Sequence, residues 1–93
     1  MPQSSPSEWC VVADFGGKKL VSDPLPKGQA REVLYGIARR MQTRKVLTAF
    51  EMGWPPSATG RDTQGVQVDV FLREYIPDLD DPRLAVGVIK EHF

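Results

Sequence analysis

A single helical stripe set between strand-forming segments is the feature that most limits the folds open to this chain. From residue 28 to residue 42, apolar side chains recur at spacings of three and one, which is the pattern of an α-helix with one buried face. The stripe consists of Ala30, Val33, Leu34, Ile37, Ala38 and Met41. Because only one face is apolar, this helix needs a partner layer on one side, and the flanking segments read as strands.

Four segments have the composition of β-strands, at residues 9–15, 18–22, 45–52 and 66–75. The dipeptide Gly16-Gly17 suits a two-residue hairpin between the first two. Strict alternation of valine and leucine with polar residues marks the fourth. We predict an α+β fold, a two-layer sandwich whose four-stranded, mainly antiparallel sheet has the order ββαββ with one amphipathic helix across it. The third and fourth strands are expected to pair despite the long loop between them.

The two ends of the chain differ in how clearly they can be interpreted. Residues 1–7 contain two prolines and three serines and are expected to be a flexible tail, which leaves residues 8–93 as one domain. For residues 83–93, Asp81-Pro82 resembles a helix cap, whereas the valine-rich run around Gly87 favours a strand. A C-terminal helix is preferred, and a strand is the alternative.

The sheet face turned away from the helix is expected to be partly apolar. Phe71 lies there, and Cys10, Val12 and Leu47 are further candidates for the same face. An apolar face of this kind needs a cover. The terminal element and a second subunit, giving a homodimer, are both candidates for it.

Charge is divided unevenly along the chain although the net charge is zero. Residues 1–45 carry eight bases against four acids, and residues 46–93 carry four bases against eight acids, giving balances of +4 and −4. Such asymmetry is typical of a basic face aimed at an anionic partner, or of two faces that attract each other.

Several classes of protein are disfavoured by what the sequence lacks. No apolar run approaches the roughly 18 residues of a membrane helix, so no membrane partner is expected. The first residues do not resemble a secretory signal. The single cysteine, Cys10, cannot form an internal disulfide, and a cytoplasmic location is the default.

Catalytic, metal and cofactor sites find little support, and we predict none of them. The one histidine, His92, and the one cysteine, Cys10, fall in different elements. Asp78, Asp80 and Asp81 are close enough to offer oxygens to a cation, but capping and turn formation account for them. Neither glycine-containing turn has the pattern of a phosphate-binding loop. A non-enzymatic protein is therefore expected.

The basic half supports one functional hypothesis, nucleic-acid binding. Arg31, Tyr35 and Arg39 stand four residues apart and form one exposed row on the helix. Arg40 lies beside that row, and Lys18 and Lys19 follow the hairpin tip. A basic hairpin followed by a basic helix is found in small DNA-binding domains. Arginines at a helix C-terminus also complement the helix dipole without any ligand.

The segment from Gly53 to Gly65 supports the leading hypothesis, a protein–protein interaction. Its 13 residues are expected to form a loop, which exceeds the usual hairpin length. Trp54 is a large anchor stiffened by two prolines, Arg61 adds a planar donor, and Phe71 and Tyr75 are further candidates. The alternative is that Trp54 folds back and closes the core. We therefore expect a small interaction domain, such as an adaptor, an inhibitor or a bacterial or phage-encoded regulatory subunit.

Overall fold

The computed structural model describes residues 8–62, 64–76 and 83–93. The elements, in chain order, are β1 (Glu8–Phe15), β2 (Lys18–Val21), β3 (Leu25–Pro26), α1 (Lys27–Thr43), β4 (Leu47–Glu51), β5 (Ser57–Arg61), β6 (Gln67–Glu74) and α2 (Val86–Lys90). The predicted tail at residues 1–7, the turn at 77–82 and the Asp81-Pro82 cap lie outside the described residues. The α+β class is confirmed.

The strands form one antiparallel sheet in the order β2-β1-β6-β5-β4, and the short β3 pairs with the start of β1. The two-residue hairpin is confirmed, since Phe15 pairs with Lys18 across Gly16 and Gly17, both at positive φ. The predicted four-stranded ββαββ arrangement is not confirmed. The segment expected to be a loop contains β5, which separates β4 from β6, so these two strands do not pair with each other.

Strand β5 was not predicted from the sequence because its residues that face the helix are small. Ala58 and Gly60 face the helix and are buried, so the strand lacks the large apolar residues that mark an alternating pattern. A side chain at Gly60 would collide with the Val46 carbonyl oxygen and would lie 2.5 Å from Met41 Cε. The strand forms because its backbone pairs with β4 on one side and β6 on the other. It needs glycine at residue 60 because the chain that leaves α1 passes close to it there.

Helix α1 packs its predicted stripe onto one face of the sheet. Five of the six predicted positions are buried, and Val33 is half-buried against the same core. The core facing them comes from β1, β5 and β6, including Val11, Ala13 and Val70. Leu47 also packs against this core, which corrects its expected place on the opposite face.

The second face of the sheet, on the side away from α1, carries the residues of β1 and β6 that alternate with the core-facing ones. Cys10 and Val12 are fully buried there, and Phe71 is half-buried, in agreement with the expected face.

The C-terminal segment contains the preferred helix, and the valine-rich run that favoured a strand is part of that helix. Leu84 forms a parallel bridge with Ser22 and so extends the sheet beside β2. Residues 86–90 then form the short helix α2, whose Ile89 joins the core, as does Phe93 beyond it. Because Lys90 lies 3.5 Å from the position that a Gly36 Cβ would take, α2 packs beside α1 on the same face.

Candidate functional site

Trp54 is held at one end of the sheet by two residues from other elements. Its indole contacts Trp9 of β1 edge-to-face at a centroid distance of 5.1 Å. The ammonium nitrogen of Lys27, the first residue of α1, lies 4.4 Å from the centroid of the Trp54 ring. The ring therefore folds back over the end of the core, and 41% of the residue's surface stays exposed.

Other exposed apolar residues lie at this same end. The strand register places the β4–β5 connection beside the last residues of β6 and the first residues of β1. Met52 is 69% exposed and Ile76 is 42% exposed. We call the group of Trp9, Met52, Trp54 and Ile76, with Lys27 at its rim, the tryptophan end.

Two of the other predicted protein-binding residues, Arg61 and Phe71, lie away from Trp54. Arg61 ends β5 and lies at the opposite end of the sheet. Phe71 belongs to the second face, while the Tyr75 hydroxyl accepts a hydrogen bond from Arg83. The guanidinium carbon of Arg83 also lies 5.1 Å from the centroid of the Tyr75 ring. Arg61 and Phe71 therefore do not share a surface with Trp54.

One residue of the predicted exposed row on α1 packs against the sheet, and the basic residues are exposed as expected. Arg31, Arg39 and Arg40 are exposed on α1, and Lys18 and Lys19 are exposed on β2. Tyr35 instead is half-buried, and its ring meets Phe50 of β4 edge-to-face at 5.6 Å. Its ring therefore contributes to the contact between α1 and β4, which the helical spacing did not reveal.

Tertiary structure adds bases from the acidic half of the chain to the C-terminal end of α1. Arg61, the last residue of β5, and Lys90, the last residue of α2, lie near this end of the helix. We call the resulting group the basic end; it consists of Arg39, Arg40, Arg44, Lys45, Arg61 and Lys90. Asp62 and Glu91 lie next to members of this group in the chain, so the cluster is predominantly but not solely basic.

A cavity of about 200 Å³ opens at the basic end. Its wall contains the aromatic residues Phe15, His92 and Phe93, and its apolar lining is completed by Met41, Val46 and Val68. Arg44, Arg61 and Asp62 supply the polar lining. No sequence pattern predicted this cavity, because its lining comes from five separate stretches of chain.

The geometry of the basic end is set by the way α1 terminates. Lys45 adopts a left-handed conformation with φ of 62°. The Lys45 N–H donates to the Gln42 carbonyl, and the Val46 N–H donates to the Met41 carbonyl at 2.9 Å. These two bonds form a Schellman motif, with lysine at the position where glycine is usual.

The single cysteine and the single histidine lie far apart. Cys10 is buried on the second face near the start of β1, while His92 contacts Phe15 at the end of β1 on the α1 side. The His92 Nδ1 lies 3.0 Å from the Val88 carbonyl oxygen, which can only accept, so Nδ1 carries the proton. Within the described ranges, no group of three or more histidine, cysteine or acidic residues could hold a metal ion.

The fold and these two ends define a small α+β domain with an apolar end and a basic end. Comparison with known proteins finds no match to a family model, to a curated protein or to a solved structure. Among residues 8–62, 64–76 and 83–93, no helix has the length and apolar character needed to span a membrane.

Proposed function

We propose that this domain is a non-enzymatic interaction module that binds another protein through the tryptophan end. The observation that carries the proposal is that the Trp54 ring packs against Trp9 while a large part of its surface remains exposed. Tryptophan is enriched among the residues that dominate binding energy at protein interfaces. An indole already held in one orientation also loses less conformational entropy when a partner binds.

The surroundings of Trp54 define the kind of partner surface that fits. Met52 adds an adaptable apolar side chain, and methionine is frequent on surfaces that accept varied partners. Lys27 places a positive charge at the rim, where charge affects association rate and orientation more than affinity. The complementary surface is therefore an apolar pocket for the indole with an acidic group beside it.

The test is partner capture from a native lysate, followed by direct binding of the captured protein. Both tryptophans of the chain lie at the tryptophan end, so intrinsic fluorescence reports on a partner that docks there. Trp54→Ala is expected to reduce affinity by about 2 kcal/mol or more, roughly thirtyfold. Val66→Ala is the control, because Val66 is 38% exposed but lies at the opposite end of the sheet.

A second variant separates lost binding from lost folding. Removal of the Trp54 ring also removes the contact with Trp9, worth about 0.5–1.5 kcal/mol of stability. Met52→Glu alters the same end at a residue that is 69% exposed and leaves the Trp9–Trp54 contact intact. If a folded Met52→Glu variant and Trp54→Ala both bind like the unmodified protein, the tryptophan end is not the interface.

A second candidate function, nucleic-acid binding, is favoured by the clustering of bases at the C-terminal end of α1. Anisotropy with labelled DNA and RNA at about 50 and 200 mM salt tests it. Four phosphate contacts would lower the affinity about 10²-fold over that range. The double variant with Arg39→Glu and Arg40→Glu is expected to abolish binding, while Trp54→Ala is expected to leave it unchanged. Absence of binding at the lower salt concentration would eliminate this candidate.

A further inference from the structure

The cavity at the basic end combines an aromatic wall with two arginines that form no ion pair with any residue the structure describes, and it does not belong to the tryptophan end. We infer that it binds a small aromatic acid, whose ring enters the cavity and whose anionic group meets Arg44 and Arg61. An apolar pocket with a few converging polar groups is the usual form of a small-molecule site.

The wall suits a flat ring because its own rings are clustered. Phe15 and Phe93 lie 5.4 Å apart between centroids and are inclined by 30°. Phe15 and His92 lie 5.8 Å apart and are inclined by 50°. Offset and edge contacts with a further ring are favourable at such separations. Phe93 is 5% exposed, so the packed core holds this part of the wall in place.

The two arginines come from different elements and are joined through Val46. The Arg61 backbone N–H donates to the Val46 carbonyl at 3.0 Å, and Val46 in turn donates to Met41 in the final turn of α1. The backbones at Arg44 and Arg61 therefore have a defined relative position. Neither guanidinium has an ion-pair partner in the part of the chain that the structure describes.

Asp62, the acidic residue of the lining, is already engaged in the turn before β6. Its Oδ1 accepts hydrogen bonds from the backbone N–H groups of Gln64 and Val66, each at 2.9 Å. These bonds hold Asp62 in the turn, and it forms no ion pair with Arg44 or Arg61 in the described structure. The helix dipole accounts for a cation at Arg44, but it does not account for Arg61, which is the last residue of β5.

The volume of the cavity sets the size of the ligand. A cavity of about 150 Å³ is enough to hold benzene, so about 200 Å³ suits a single six-membered ring carrying one acid group. A planar carboxylate matches the two parallel donors of a guanidinium. For about nine non-hydrogen atoms, a Kd in the range of about 0.1–1 mM is expected.

The test is a titration of the ¹⁵N-labelled full chain with benzoate, followed by amide chemical shifts. We expect saturable shifts concentrated at Phe15, Arg44, Val46, Arg61 and His92. Benzamide, which has the same shape without the charge, is expected to bind at least about tenfold more weakly. Inorganic phosphate, which has charge without a ring, is expected to bind more weakly as well.

Substitution of the arginines distinguishes this site from general attraction to a basic surface. Arg44→Gln and Arg61→Gln are each expected to weaken benzoate binding about tenfold, the loss of a charge-assisted contact. Arg31→Gln is the matched control, since Arg31 is an exposed base of the same helix near its other end.

Three results would overturn the inference, the first measured on variants whose spectra show the native fold and the other two on the unmodified chain. The first is equal weakening by Arg31→Gln, which would indicate a diffuse electrostatic effect. The second is binding of benzamide as tight as that of benzoate, and the third is the absence of saturable shifts up to about 10 mM benzoate, a concentration well above the expected Kd. None of these results depends on whether the tryptophan end binds a protein, so the two proposals fail separately.

Discussion

Replacement of Ser22 by alanine should destabilise the domain far more than the loss of one small hydroxyl suggests. Ser22 is fully buried and lies between β2 and β3, the two strands of this segment that pair with β1. Its Oγ accepts a hydrogen bond of 2.9 Å from the Val11 N–H, and its hydroxyl donates to the Asp23 carbonyl at 2.9 Å. The side chain thus replaces a missing backbone acceptor beside a central strand.

The magnitude follows from the groups left without partners. Val11 is fully buried, so its N–H would lose the Oγ acceptor in a place that is closed to water. An unsatisfied buried donor costs about 1–3 kcal/mol. Asp23 is exposed, and water can satisfy its carbonyl, so the second lost bond adds little. We expect the free energy of unfolding to fall by about 2 kcal/mol and Tm to fall by about 8–16 °C.

Urea unfolding followed by tryptophan fluorescence measures this change. Ser57→Ala is the control, because Ser57 is a half-buried strand serine for which no side-chain hydrogen bond occurs in the described structure. Its unfolding free energy should change by less than about 0.5 kcal/mol. Hydrogen exchange at Val11 should also accelerate in Ser22→Ala. Equal effects of the two substitutions would refute the assignment of Ser22 as the acceptor for Val11.

Two further predictions concern backbone conformation, and thermal unfolding checks both. Lys45→Gly should raise the unfolding free energy by about 0.5–1 kcal/mol because φ at this residue is 62°, whereas Lys45→Ala should give no gain. A stabilising Lys45→Ala would show that charge is responsible instead of backbone strain. Gly60→Ala should lower the free energy of unfolding by about 2–3 kcal/mol, since the added Cβ meets the Val46 carbonyl oxygen. Gly53→Ala, where a Cβ meets nothing within 4 Å, should be neutral or slightly stabilising, and similar losses at both glycines would contradict the steric explanation.

Elements with a strong local period were predictable. The helix was expected at 28–42 and spans Lys27–Thr43, because five regularly spaced apolar residues are buried against the sheet. The first hairpin was expected from Gly16-Gly17, and the Gly17 N–H donates to Asp14 Oδ1 at 2.8 Å within it. The alternation at 66–75 likewise corresponds to β6 at Gln67–Glu74. In each case neighbouring residues contain the whole signal.

Elements that depend on distant partners were not predictable. Strand β5 carries only alanine and glycine inward, and its existence depends on β4 and β6 on its two sides. The short β3 and the bridge at Leu84 likewise form only by pairing with segments that are distant in the sequence. Hydrogen bonding between backbones uses groups that every residue has, so the side-chain pattern carries little information about it.

The candidate sites divide in the same way. Residue types along the chain were enough to single out Trp54 as a large anchor in a connecting segment and to show that bases are concentrated near one helix. The contact of Trp54 with Trp9, and the position of Arg61 beside Arg44 around an aromatic cavity, follow from the pairing of distant segments. The physical reason is that residue type and local period are properties of the chain, whereas burial and proximity arise from the order in which the strands pair.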